Sequence, residues 1–255
     1  MTEQTHAGRT ILITGGSSGL GRRFAVMLAA AGAKVAVCAR RTDRLADLVS
    51  EIQTAGGTAA AFAMDVQDEA SVIAAFEAAQ EQLGPIDTVI ANAGMNNEGL
   101  AVDLPVEDFR TVLDINVTGA FLTAREGARR MMAAGSKDTG RGRIVLIASI
   151  GAHKVLPGLA VYCASKAAVA HMGKTLAREW ANRGINVNVV CPGYIETEIN
   201  SDWFASEGGK KQIASFPRRR LMDPSDLDPV IAWLTSDASK SVTGSVVTVD
   251  DGQSI

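Results

Sequence analysis

Residues 9–31 read R-T-I-L-I-T-G-G-S-S-G-L-G-R-R-F-A-V-M-L-A-A-A, and the change of rhythm inside this stretch decides the fold. Arg9 to Thr14 is a short apolar run of the kind buried on both faces of a sheet. A glycine-rich turn, Thr14–Gly21, follows at once. From Leu20 to Ala31 the apolar residues take helical spacing until Gly32 breaks it. Strand, tight turn and helix make the first half of a βαβ unit. The same alternation continues along the chain. Strands are expected at Lys34–Ala39, Ala59–Met64, Ile86–Ala91, Arg143–Ala148, Ile185–Val190 and Ser245–Val249. Helices are expected at Arg44–Thr54, Glu69–Leu83 with Asp68 as its cap, Val106–Ala134, Tyr162 through Trp180, and Asp226–Leu234. Apolar strands alternating with helices predict an α/β fold, a doubly wound sheet of about seven parallel strands with helices on both faces. A flexible turn is expected at 135–142 and a loose tail at 1–8, leaving 9–255 as one domain.

Composition narrows the function classes. Of 255 residues 47% are hydrophobic and only 5% aromatic, which suits small-residue packing of helices on a sheet. The net charge is -3, and the densest basic cluster, Arg218–Arg220, is too short to argue a nucleic-acid partner. Cys38, Cys163 and Cys191 lie far apart in or beside apolar elements, as free thiols of a reducing compartment do. The polar N-terminus has no signal-peptide pattern, and no run reaches the roughly 20 apolar residues of a membrane span. A cytoplasmic protein is the expectation, with no metal implied.

The turn after the first strand is where such a sheet binds a diphosphate, with glycines admitting backbone and the helix N-terminus supplying N–H groups. Its glycines (Gly15, Gly19 and Gly21) are not spaced as in G-x-G-x-x-G. At the end of the second strand, where an acidic residue would accept from an adenosine ribose, this chain has Arg40 and Arg41. Guanidinium groups suit a 2′-phosphate, so NADP(H) is favoured and NAD(H) is the alternative; Ser17 adds a hydroxyl. Asp65 and Val66 are placed against the adenine. Asn92-Ala93-Gly94 lies at the C-terminal edge of the sheet: Gly94 lets a cofactor approach, and Asn92 is either a cofactor contact or a structural tie between strands.

The chemistry is carried by Ser149–Lys166, S-I-G-A-H-K-V-L-P-G-L-A-V-Y-C-A-S-K. Ser149 ends a strand, and Tyr162 and Lys166 share one helix face a turn apart. A phenol titrates near 10 and is a weak acid-base group. An adjacent ammonium favours its phenolate, and a serine hydroxyl can bond the same oxygen. Such a trio can pass a proton to or from an alcohol oxygen. Asn116, polar among apolar neighbours, is either satisfied within the fold or perturbs its helix and frees a carbonyl for a relay water near Lys166.

With these residues in order, the chain resembles the classical short-chain dehydrogenase/reductase family over essentially its whole length. T-G-x-x-x-G-x-G is met by Thr14–Gly21 and N-A-G by Asn92–Gly94. The resemblance implies a Rossmann-type oxidoreductase domain with Asn116, Ser149, Tyr162 and Lys166 as the catalytic tetrad. It implies cofactor contacts from Gly15, Ser17, Ser18, Gly19, Leu20 and Gly21, and from Asn92, Ala93 and Gly94. Lys166 would bind the nicotinamide ribose beside Tyr162, and Pro192, Gly193, Ile195 and Thr197 would meet the carboxamide. Two departures stand out: Ala91 where a second asparagine is common, and Asp250-Asp251-Gly252-Gln253 where D-G-G is common. The family also implies a homotetramer or dimer; Ala167, Ala168, Val169, Ala170 and Gly173 would permit close subunit packing or pack on their own sheet.

Substrate candidates are Met95, Asn96, Ser149, Ile150, Ala152, His153, Leu156, Leu159, Tyr162, Tyr194, Trp203 and Phe204, a mostly apolar set. Residues 192–224 break the rhythm and are expected to form a substrate loop or lid. The favoured reading is NADPH-dependent, reversible reduction of a hydrophobic or aromatic ketone to a secondary alcohol. The alternatives are an NAD-linked alcohol or hydroxysteroid-type dehydrogenase, a 3-oxoacyl thioester reductase drawn to Arg218–Arg220, and a cofactor-binding sensor without turnover. Nothing in the sequence names the substrate beyond that class.

Overall fold

A computed structural model describes residues 5–196 and 200–255. The apolar runs form seven strands: β1 (Thr10–Thr14), β2 (Lys34–Ala39), β3 (Thr58–Ala63), β4 (Thr88–Ala91), β5 (Gly142–Ile147), β6 (Ile185–Pro192) and β7 (Val246–Val249). All pair in parallel, in the order β3-β2-β1-β4-β5-β6-β7. The order reverses between β1 and β4, and a crevice opens beyond their C-terminal ends. Because side chains alternate along a strand, each strand feeds two cores. Ile11 and Ile13 join one with Ile90, Val145 and Val190, while Leu12 joins the other with Val89, Leu146 and Val189.

Helices α1 (Gly19–Ala30) and α2 (Thr42–Thr54) cover the first of these faces, with α10 (Asp228–Thr235), through Phe24, Leu28, Leu45, Leu48, Ile231 and Leu234. The other face is covered by α3 (Glu69–Leu83), α5 (Gly119–Ala133) and α7 (Ala160–Trp180), through Val72, Phe76, Leu122, Met131, Val169 and Leu176. Asp68 caps α3, accepting from the Ala70 N–H at 2.9 Å. Val169 and Gly173 face their own sheet: a Cβ at Gly173 would lie 2.4 Å from a Val189 methyl carbon. Ala167 and Ala168 are exposed. Among the described residues, no helix is long and apolar enough to cross a membrane.

Four segments differ from the sequence expectation. The helix expected over 106–134 forms as α4 (Val106–Leu113) and α5, joined by a π-helical turn over Asp114–Thr118. The turn expected at 135–142 holds a short helix, α6 (Ser136–Thr139), pinned because buried Ser136 donates from Oγ to the Arg183 carbonyl at 2.7 Å. The tail is not loose from Thr5 onward. His6 is buried, its Nε2 sits 2.9 Å from Thr235 Oγ1, and its N–H donates to the Ala31 carbonyl at 3.0 Å. Residues 1–4 of that tail lie outside the described residues. Finally, the segment after β6 contains α8 (Ser201–Ala205) and α9 (Glu207–Ser215), and a parallel bridge between Ile195 and Met222 returns the chain to the sheet.

Candidate active site

A cleft of ≈ 1260 Å³ runs along the C-terminal edge of the sheet. At one end lies the turn after β1. A Cβ at Gly21 would meet the Gly15 carbonyl oxygen at 2.4 Å, and one at Gly15 would meet Asn92 Nδ2 at 2.9 Å. Only glycine lets these backbones close up. Asn92 is the cause of this crowding: its Nδ2 donates to the Thr14 carbonyl at 3.0 Å, and its N–H donates to Thr14 Oγ1 at 3.1 Å. Of its two readings, the observed contacts are those of a tie between β4 and β1. At Gly19 (φ 51) a Cβ would touch nothing within 4 Å, so the turn leaves space open beside the start of α1. Arg41 reaches back over this turn and donates from Nη2 to Ser17 Oγ at 3.0 Å and Ser18 Oγ at 2.9 Å. Among the described residues its partners are hydroxyls, and no carboxylate pairs with it. Arg40 also lines the cleft and is exposed, as are the first residues of α2. Leu20, Asp65, Val66, Ala93 and Gly94 continue the wall. Asp65 folds onto its own loop, its Oδ1 accepting from the Gln67 N–H at 3.0 Å. Hydroxyls, guanidinium groups, free space at a helix N-terminus and a carboxylate further along make a set of donors and acceptors that fits a nicotinamide dinucleotide.

Toward the other end stand Ser149, Tyr162 and Lys166. Ser149 follows β5 in extended backbone, caps the short 3₁₀ turn Ile150–Ala152, and accepts from the Gly151 N–H at 3.1 Å. It lines the cleft beside Tyr162. Lys166 is 5% exposed; its Nζ donates to the Ile147 carbonyl at 3.0 Å and lies 5.6 Å from the Tyr162 ring centroid. Burial pushes the Lys166 ammonium down to about 8. Burial also pushes the Tyr162 phenol up, with the neighbouring Ser149 hydroxyl acting against it. The expectation that Lys166 draws the phenol down is therefore corrected: in this arrangement desolvation of a phenolate outweighs the favourable contacts. The phenol keeps its proton at neutral pH.

Asn116 occupies the π-helical turn and is 1% exposed. Its Oδ1 accepts from the Met95 N–H at 2.8 Å, and its Nδ2 donates to the Met95 carbonyl and to Ser165 Oγ, each at 2.9 Å. The side chain is satisfied within the fold, as the first reading made from sequence has it, and the turn that carries it is π-helical. It does not line the cleft, although a Cβ at Gly94 would lie 3.3 Å from its Oδ1 and 3.4 Å from Lys166 Nζ. Sequence reasoning missed Ser165, which is fully buried and donates to the Tyr162 carbonyl at 2.7 Å. A polar residue three positions after Tyr162 on an apolar face was the available signal.

Met95, Asn96, Ile150, Leu156, Leu159, Tyr194, Trp203 and Phe204 line the reactive end, with Pro192, Gly193 and Ile195 below them. Tyr194 stacks on Phe216 (centroids 5.2 Å apart) and meets Phe204 edge-on at 5.9 Å, so the foot and tip of the 192–224 segment share one aromatic cluster. Thr197 lies outside the described residues. Ala152 and His153 are not in the cleft; the 3₁₀ turn carries them to a separate depression of ≈ 510 Å³. Lys154, Glu98 and Gln212 were missed, and they make this end more polar than the sequence suggested. Arg218 and Arg220 pair with Asp251 at 3.0 and 2.8 Å and do not line the cleft.

Comparison with known proteins follows the same lines. The family model described as "Enoyl-(Acyl carrier protein) reductase" matches residues 15–254. "Glucose 1-dehydrogenase 2" of Bacillus subtilis (strain 168) is 32% identical over 250 residues, covering 97% of this chain and 95% of its own. "3beta-hydroxysteroid dehydrogenase 1" of Eggerthella lenta is 35% identical over 252 residues, covering 97% of this chain and 94% of its own. A crystal structure of a gluconate 5-dehydrogenase from Burkholderia cenocepacia J2315, in complex with NADP and tartrate, superimposes with a TM-score of 0.92. It is 30% identical, covering 99% of this chain and 97% of that one.

Proposed function

The chain belongs to the classical short-chain dehydrogenase/reductase family, and from that premise we propose that it reversibly reduces a ketone to a secondary alcohol with NADP(H) favoured over NAD(H). The observation that carries this reading is the half-buried Tyr162 phenol, which lines the cleft together with Ser149 and Lys166, the Lys166 Nζ lying 5.6 Å from its ring centroid. A bound nicotinamide supplies the hydride in reduction and accepts it in oxidation. Ser149 and Tyr162 orient the substrate oxygen, and Tyr162 gives up its proton as that oxygen gains charge. Lys166, still charged at neutral pH, stabilises the phenolate that results. In oxidation the same groups act in reverse. Asn116 holds the Met95 loop and, through Ser165, the backbone of Tyr162.

The Gly15–Gly21 turn, Ser17, Ser18, Arg40 and Arg41 would hold the adenosine end, with Asp65 and Val66 beside the base. Asn92, Ala93 and Gly94 would line the middle, and Lys166, Pro192, Gly193, Ile195 and Thr197 the nicotinamide end. The preference for NADP(H) is supported by Arg41 lying over two serine hydroxyls and by the NADP bound to the gluconate 5-dehydrogenase relative. Apolar Ile150, Leu156 and Leu159 beside aromatic Tyr194, Trp203 and Phe204 support a hydrophobic or aromatic ketone. A second reading, an NAD(P)-linked dehydrogenase of a sugar, polyol or steroid alcohol, is favoured by polar Asn96, Glu98, Lys154 and Gln212 at the same end and by the names of the relatives. The thioester-reductase reading loses Arg218 and Arg220, which Asp251 engages, and rests on the family description alone. The proposal extends to a cytoplasmic homo-oligomer, tetramer or dimer. In support, Phe109 on α4 and Phe121 on α5 are 40% and 37% exposed.

Tyr162→Phe is the test. Cofactor binding, followed by fluorescence titration, stays within about twofold, and ketone reduction falls by at least about 10³-fold. Turnover within about tenfold of the wild type overturns the assignment of the proton donor.

A further inference from the structure

The Asp250-Asp251-Gly252-Gln253 turn after β7 is tied into the reactive end of the cleft by side chains from three directions. Gln253 is 1% exposed. Its Oε1 accepts from the Tyr194 N–H at 2.6 Å, and its Nε2 donates to the Arg220 carbonyl at 3.2 Å. Its own carbonyl accepts from Lys154 Nζ, which comes from the loop after β5. Gly193 fits only because it lacks a side chain: a Cβ there would lie 2.4 Å from Gln253 Oε1 and 2.8 Å from Asp250 Cα. One amide therefore fixes the chain just after β6 and the foot of the 192–224 segment together.

Asp251 completes the arrangement. It holds φ 55, the left-handed region that a non-glycine residue seldom adopts. Its carboxylate, 11% exposed, receives Arg218 Nε at 3.0 Å and Arg220 Nε at 2.8 Å. The basic triplet and the unusual aspartate thus explain each other. The strained residue is retained where it anchors the returning end of the lid segment. An amide at 253 is well suited to its place, since the Tyr194 N–H needs an acceptor and the Arg220 carbonyl a donor, and no single-function side chain supplies both.

We propose that Gln253 is a positioning residue for the nicotinamide end of the cleft, setting Gly193–Tyr194 in place while Asp251 holds the foot of the lid to the same turn. This rests on the reading of the cleft as a dinucleotide site. Gln253 touches no reacting atom; it acts through the backbone of Gly193 and Tyr194, which line the cleft. Its removal leaves the part-buried Tyr194 N–H and the Arg220 carbonyl without these partners and frees the loop to shift.

Calorimetric titration of the full chain with NADPH and with 2′-phospho-ADP-ribose, which lacks the nicotinamide, separates positioning from general structure. Titrations with NADH and ADP-ribose run in parallel. For Gln253→Ala the Kd of the complete dinucleotide rises about tenfold, while that of the fragment stays within about twofold. Gln253→Met keeps most of the side-chain volume without either amide bond, so it serves where the alanine variant does not fold, and it shows the same split at about tenfold. Equal shifts for dinucleotide and fragment, or no shift for either, overturn the positioning role. A wild type that binds neither dinucleotide overturns the cofactor reading, and this inference with it.

Discussion

At the N-terminal edge of the sheet, Arg9 and Arg143 are each 1% exposed and their guanidinium groups meet carboxylates and carbonyls. Arg9 bonds Asp87, Thr88, the Arg141 carbonyl and Asp237. Arg143 donates to the carbonyls of Ser236, Gly140 and Gly142, with Asp237 at 3.8 Å. At the C-terminal edge, Lys166 is as deeply placed, yet among the described residues no carboxylate pairs with it. It has a carbonyl and the face of a phenol. Arg41 at the same edge spends its donors on two hydroxyls. One edge pairs its buried cations with carboxylates and carbonyls. The other leaves buried Lys166 short of counter-charge, at a cost in stability, and leaves exposed Arg41 with hydroxyls, so that both remain able to act on a ligand.

Changing one cation at each edge tests this contrast. Lys166→Met lowers kcat/KM by about 10³-fold and leaves the fold as stable or more stable, because a cation that burial disfavours has been removed. The pH dependence carries the sign. With a folded pKa of about 8 against 10.5 for the free group, the unfolded chain binds more protons between those values. Wild-type stability therefore rises with pH across that window and falls as pH drops back through it. Urea unfolding at several pH values from neutral to alkaline shows this slope in the wild type and its loss in Lys166→Met.

Arg9→Met is the mirror experiment. It leaves Asp87 with Thr88 and the longer Arg141 contact, removes the Asp237 pair, and destabilises the fold by about 3 kcal/mol, with turnover per folded molecule unchanged. Denaturant midpoints together with active-site titration check both halves. The smallest effect belongs to Arg41→Ala. It reduces the ratio of NADPH to NADH use by about tenfold and leaves the melting temperature within about 1 °C, since the arginine is exposed and forms no ion pair among the described residues. Equal losses with both cofactors would place Arg41 outside phosphate recognition.

How much of this the sequence discloses follows from the range of each interaction. The helix Glu69–Leu83 keeps its expected bounds because its cap, Asp68, and its glycine stop are both local. Tyr162 and Lys166 were legible for the same reason, being one turn apart. The docking of His6 was not, since its partner Thr235 is 229 residues away in a chain segment with no polarity signal of its own. Gln253 was visible only as a departure from a familiar ending; its bond to Tyr194 spans 59 residues. The direction of the Tyr162 shift was misjudged because burial is a property of the assembled walls and not of a tetrapeptide spacing. His153 was misplaced by a single 3₁₀ turn.

The central claim is that the Tyr162 phenol stands within proton-transfer reach of the substrate oxygen. A crystal structure of the chain with reduced cofactor and an unreactive ketone analogue measures this directly. The account predicts the phenolic oxygen within about 3 Å of the ketone oxygen, with Ser149 on the same atom. A phenol outside hydrogen-bond reach, with no bridging water between them, would contradict it.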